Sequence, residues 1–155
     1  IRNCDMKAGH GGVVIGSEIS GGVRNVFAEN LRMSSPDLER AIRIKTNSVR
    51  GGLIEHLRYR DITVGQVKDA IVINFYYEEG DAGSFDPTVR DIEISNLVCE
   101  QADRVFQVRG FERAPIRDFR MHNLEFRNAG ETGIIEHVER LDLSGVRING
   151  KKFNG

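Results

Sequence analysis

Apolar and polar residues alternate along this chain in short runs, and one pattern returns five times: VRNVFAENLRM (23–33), IEHLRYRDITV (54–64), VRDIEISNLVC (89–99), IRDFRMHNLEF (116–126) and VERLDLSGVRI (138–148). Each copy opens on an aliphatic residue, places a second three positions later, and alternates through an Asn, Asp or Gly into another short apolar pair. A period of two buries one face of a strand and wets the other, so each copy predicts short strands joined at a tight bend. A second series lies between the copies: GVVIG (12–16), AIRIK (41–45), AIVIN (70–74), VFQVR (105–109) and a weaker GIIEH (133–137).

The copies start 31, 35, 27 and 22 residues apart. Two or three short strands in each interval describe one rung of a stacked solenoid. A β-sandwich built from hairpins would need turn pairs between the strands, and Asn149-Gly150 near the end is the one such pair. Leucine-rich repeats would be shorter and more regular, with Leu at fixed slots, whereas here Ile, Val, Phe and Leu interchange. The pattern therefore predicts an all-β chain, a parallel β-helix of about five rungs over residues 1–155. Val26, Leu57, Ile92, Phe119 and Leu141 should form one internal ladder with a repeat of about 4.8 Å. The closing NGKKFNG (149–155) could cap the stack or fray. IRNCDMK (1–7) already reads as a rung strand with no cap before it. A bare first rung would leave an open strand edge, so the chain is expected to be the C-terminal part of a longer solenoid, without its N-terminal rungs.

Composition narrows the partners. With 39% hydrophobic and 29% charged residues the chain is globular rather than disordered. A net charge of −1 supplies no sequence-wide basic field for nucleic acid or an anionic membrane, so any charged ligand must be met locally. No apolar run is long enough to span a bilayer. Cys4 and Cys99 form no metal-type pair and give little evidence of a disulfide scaffold. His56, His122 and His137 share no spacing, so neither a metal site nor a cofactor is expected.

The chemistry concentrates near GHGGVVIGSE (9–18). A dinucleotide loop would need G-x-G-x-x-G opening a helix, but this glycine run leads into β-branched residues. Either the glycines make corners and His10 is incidental, or His10 belongs to a site. Aligning GVVIG with AIRIK sets the outward Arg43 and Lys45 one rung along from the His10 loop. Two neighbouring cations without an acid on their strand are easiest to understand if an anion sits between them. Glu18 reads as a surface or turn residue; Arg50 could add to the positive groove; Glu78, Glu79 and Asp81 form an acidic corner loop.

GHG (9–11), then RIK (43–45) one rung later and YEEG (77–80) on the rung after, resemble the C-terminal half of the polygalacturonase family, glycoside hydrolase family 28. The longer GHGGVVIGSEISGG (9–22) is most similar to its bacterial, exo-acting members, and the resemblance covers most of the chain, carried mainly by residues 4–80. It implies a right-handed parallel β-helix and hydrolysis of α-1,4-linked galacturonic acid with inversion, in a secreted or periplasmic protein. It also implies roles: His10 beside the catalytic carboxylates, setting their protonation; Arg43 and Lys45 gripping the galacturonate carboxylate; Tyr77 lining the sugar subsite, with Tyr76 a core or rim aromatic. The implied partners are a galacturonate-containing oligo- or polysaccharide and the N-terminal remainder of the same protein.

One departure matters. The family's N-T-D and D-D motifs, which supply the general acid and the water-activating aspartates, are not in this chain. An inverting glycosidase needs two carboxyl groups, typically about 6.5–9.5 Å apart, and a cation cluster cannot replace them. Asp5, the one carboxylate shortly before His10, matches neither motif. The chain alone is thus expected to catalyse nothing. The other reading is a non-catalytic β-helix, a carbohydrate-binding or structural module.

Overall fold

A computed structural model describes all 155 residues. The strands are β1 (Arg2–Met6), β2 (Val13–Ile15), β3 (Val23–Met33), β4 (Arg40–Lys45), β5 (Leu53–Asn74), β6 (Thr88–Arg109), β7 (Ile116–Glu136), β8 (Val138–Ile148) and β9 (Lys151–Lys152), with no helix. All pair in parallel except β8 with β9. β5 pairs along most of its length with β6, and β6 with β7, so the sheet winds on itself as a parallel β-helix.

The bends inside these long strands have a repeated cause. Two positions per rung, five residues apart, hold positive φ: Asn25 and Asn30, His56 and Asp61, Asp91 and Asn96, Asp118 and Asn123, Arg140 and Gly145. Asn, Asp and Gly tolerate this left-handed conformation, which turns the strand without breaking it. At the second bend the amides stack: Asn30 Nδ2 donates to Asn3 Oδ1 at 2.7 Å, Asn96 Nδ2 to Asp61 Oδ1 at 2.9 Å and Asn123 Nδ2 to Asn96 Oδ1 at 3.0 Å. His56 and Arg140 are poorer left-handed residues, and each is tied to an acid of an adjacent rung. His56 Nδ1 lies 2.5 Å from Asp91, and Arg140 forks onto Asp118 at 2.6 and 2.8 Å.

Asp91 is the centre of this first-bend column. Burial alone would raise its pKa, but Arg58 at 2.9 Å from both carboxyl oxygens, His56 and Arg120 hold it well below the usual carboxylate range. A folded-state pKa below the unfolded one, near 3.9, gives stability that is complete above that value and is lost as pH falls beneath it. Urea unfolding between pH 6 and pH 2 should therefore show a shallower acid limb for Asp91→Asn than for the parent. Parallel limbs would remove Asp91 from the account.

Inside the coil the ladder runs as the alternation predicts: Val26 pairs with Leu57, Leu57 with Ile92, Ile92 with Phe119 and Phe119 with Leu141. One cluster of 36 buried apolar residues continues through all the rungs. Cys99 belongs to it as a small hydrophobe, its thiol pushed up to about 12 by burial, and both cysteines are free. The weakest sequence copy, GIIEH, sits one residue out of step with VFQVR. Gly133 faces Phe106 rather than Val105, and His137 falls outside the strand. The close approach demands glycine there, since a Cβ on Gly133 would lie 1.9 Å from Phe106 O.

The C-terminal segment closes the stack rather than fraying. Asn149 and Gly150 both have positive φ, as a two-residue hairpin turn requires, and they set β9 antiparallel to β8. Phe153 then donates its backbone N–H to Val146 O and lays its ring 5.4 Å from that of Phe106.

Candidate functional site

β2, β4 and the C-terminal thirds of β5, β6 and β7 stack into one flank of the coil. The register sets Val14 beside Arg43, and Arg43 beside Val72. A second outward column runs from Lys45 through Asn74 and Arg109 to Glu136. The glycines before and after β2 allow close stacking. Gly16 has φ +106°, and a Cβ there would stand 2.0 Å from Lys45 O. The corner role is thus real for the glycines, and His10 is a separate matter.

Arg43, Lys45 and Tyr77 come together. Lys45 Nζ lies 4.5 Å from the Tyr77 ring centre and donates to its hydroxyl at 3.4 Å, while the Arg43 guanidinium stands 5.4 Å from the same ring. Asn47, buried on the following turn, pins the Tyr77 loop: Nδ2 donates to Tyr77 O at 2.9 Å and to Glu79 at 2.8 Å, and Oδ1 accepts from the N–H groups of Val49 and Arg50. A hydrogen bond to Glu78, then partial burial, raises the Tyr77 pKa, so the phenol keeps its proton.

The electrostatic contrast along this flank is sharp. Arg40 pairs with Glu39 and Asp69, Arg50 with Glu18 and Glu79, Arg104 with Asp69 and Glu131, and Arg109 with Glu136. Arg43 and Lys45 form no ion pair. Arg43 Nε is buried with no hydrogen-bond partner, as are Arg40 Nε and Arg50 Nε, but the Arg43 guanidinium also lacks the carboxylates that those two have. Burial, then the like charge of Arg40, lowers the Arg43 pKa, with Tyr77 and Asp69 opposing. The sequence-based addition of Arg50 to the positive groove does not hold, because two carboxylates bind its guanidinium within 3.4 Å.

His10 is exposed at the rim, its Nδ1 3.3 Å from Glu39. A Cβ at its chain neighbour Gly11 would stand 3.8 Å from Arg43 Cβ, but no hydrogen bond or ion pair joins His10 to Arg43, Lys45 or Tyr77. Glu39 N donates to Gly9 O and Gly12 N to Arg40 O, which fixes the histidine loop against β4. Sequence reasoning missed Glu39, Arg40 and Asp69. The signal was available: Arg40, Asp69, Arg104 and Glu131 occupy one slot of four successive rungs with alternating charge.

Fold and flank together define a parallel β-helix that carries two cations without ion pairs beside Tyr77 on one side. The glycosyl hydrolases family 28 model matches residues 1–145, and the chain belongs to that family. Among relatives, a polygalacturonase of Ralstonia nicotianae is 34% identical over 91 residues, which are 57% of this chain and 17% of that protein. An endo-polygalacturonase of Pectobacterium parmentieri is 33% identical over 100 residues, 64% of this chain and 24% of that one. The crystal structure of a hyperthermoactive exopolygalacturonase from Thermotoga maritima superposes with a TM-score of 0.81 at 35% identity, over 93% of this chain and 32% of that one. The shared architecture is the right-handed parallel β-helix. This chain spans a quarter or less of the length of those two relatives.

Proposed function

We propose that these rungs form the C-terminal part of a secreted or periplasmic polygalacturonase-like hydrolase, inverting and exo-acting, whose catalytic aspartates lie outside these 155 residues. The observation that carries the reading is the pair of uncompensated cations, Arg43 and Lys45, against Tyr77, on a flank where the neighbouring arginines are paired. A galacturonate carboxylate neutralises the pair by binding the Arg43 and Lys45 heads, while Tyr77 packs on the sugar ring. A planar guanidinium reads a carboxylate in a fixed plane and an ammonium tolerates its rotation, so the two together orient the acid. His10, held near Glu39, stands at the edge of this grip and sets the protonation of carboxylates brought by the rest of the protein. A merely structural solenoid has no use for two cations without ion pairs beside a tyrosine, and a carbohydrate-binding module would differ from the hydrolase in cleaving nothing as the full-length protein.

The test is product analysis of the full-length protein on tetragalacturonate by NMR. Release of single galacturonate units in the β-anomeric form is expected for exo action with inversion, and the 155-residue chain alone should release nothing. Hydrolysis by the chain alone, or none by the full-length protein, would reject the proposal.

A further inference from the structure

Thr46, Asn47 and Ser48 follow the cation-bearing strand β4 directly, and all three are fully buried. A buried polar side chain costs free energy unless its hydrogen bonds are made, and here they are. Thr46 Oγ1 donates to Gly51 O at 3.0 Å, while Ser48 Oγ donates to Gly80 O at 3.3 Å and accepts from Gly83 N at 2.8 Å. Asn47 is the most completely used. Its amide has two N–H donors and an oxygen with two lone pairs, and all four are taken: Tyr77 O and Glu79 Oε2 accept from it, and Val49 N and Arg50 N donate to it. A side chain bound in this way cannot rotate or flip without losing bonds that water does not replace.

These bonds join the corners of successive rungs. Tyr77 lies past the end of β5 in a turn that closes at Gly80, and Glu78 and Gly80 both have positive φ. Inside the turn Gly80 N donates to Tyr77 O at 3.2 Å, and the side chain that reaches the same carbonyl from the previous rung is Asn47. Asn47 is two residues from Lys45 in the chain, so one amide links the strand that carries the ammonium to the turn that carries the phenol. Glu79 braces it: one carboxylate oxygen accepts from Asn47, and the other lies 3.4 Å from Arg50 Nη2, which also meets Glu18 at 3.0 Å. Glu18, Arg50 and Glu79 thereby tie together the loops that follow β2, β4 and β5.

We infer that Asn47 is a positioning residue for substrate binding, holding Tyr77 against Lys45, with Glu79 and Arg50 as its brace. The inference rests on the reading of Arg43, Lys45 and Tyr77 as the galacturonate site. Lys45 and Tyr77 sit on different rungs, so the 4.5 Å between the ammonium and the ring is set by whatever fixes one rung's corner to the next. Asn47 touches no substrate. It acts by keeping the phenol in place before the sugar arrives, so that binding does not have to order the turn.

The experiment is a double-mutant cycle in the full-length enzyme on oligogalacturonate. Asn47→Asp keeps the oxygen that serves Val49 and Arg50 and turns the donor side into a second oxygen, facing Tyr77 O and the Glu79 carboxylate. It should lower kcat/KM about tenfold in the parent and by less than about twofold in a Tyr77→Ala background, where the group it acts through is gone. Adding Glu79→Gln to Asn47→Asp returns a donor to that contact and should recover part of the loss. Glu79→Ala, at a partly exposed side chain, should give a smaller loss that also vanishes in the Tyr77→Ala background, and it carries the test if Asn47→Asp fails to fold. Equal losses with and without Tyr77, or an unchanged kcat/KM in Asn47→Asp and Glu79→Ala alike, overturn the inference while leaving the Arg43–Lys45 site standing. A parent enzyme that cleaves no oligogalacturonate overturns the hydrolase reading and this inference with it.

Discussion

Replacing Phe119 by alanine is expected to cost the chain about 3–5 kcal/mol, the range for emptying a fully buried aromatic site. Phe119 has no exposed surface and lies between Ile92 and Leu141 in the internal ladder. A stacked coil holds its rungs mainly through contacts with the rungs on either side, so a cavity at this level weakens the coupling above and below it. The backbone is fixed by the parallel pairing and by the bend at Asp118, so the site collapses only partly around the hole. Urea unfolding measures the loss. Phe119→Leu, which keeps part of the volume, should lose less, and a loss under about 1 kcal/mol for the alanine variant would deny Phe119 its place in a continuous core.

The second large effect is at the groove. Arg43→Ala in the full-length enzyme should lower kcat/KM on oligogalacturonate by about 100-fold, about 2.8 kcal/mol at 1.4 kcal/mol per factor of ten. A single hydrogen bond to a charged partner contributes about 1.5–3 kcal/mol, and a forked guanidinium makes two. Arg43→Lys keeps the charge without the fork and should recover only part of the loss. Because Arg43 carries no ion pair and its Nε no hydrogen bond, the alanine variant loses only the stem packing and the contact with the Tyr77 ring, and its thermal midpoint should fall little. An unchanged kcat/KM would dismiss the carboxylate grip.

Period-two alternation made the coil legible, because inward residues must repeat in every rung and their neighbours must be polar. That is why Val26, Leu57, Ile92, Phe119 and Leu141 could be aligned from the chain alone. The Asn, Asp and Gly of the second bend were legible too, since few residues accept a left-handed backbone. His56 and Arg140 were not, because their conformation is imposed by acids on adjacent rungs rather than by their own preference. The offset at Gly133 goes with a close approach to the backbone carbonyl of Phe106, a contact between residues 27 positions apart. In the site, Arg43, Lys45 and Tyr77 stood out through their motifs and do lie together. The partners that silence Arg50 and place Glu39 near His10 depend on how loops fold between rungs, which alternation does not encode.

In the proposed hydrolase, this coil presents a free guanidinium and ammonium to the carboxylate of a galacturonate unit. A crystal structure of the full-length protein with galacturonate bound tests it most directly. The account predicts both carboxylate oxygens within hydrogen-bonding distance of Arg43 and Lys45, with the sugar ring against Tyr77. A carboxylate bound elsewhere, with the Arg43 and Lys45 heads untouched, would contradict it.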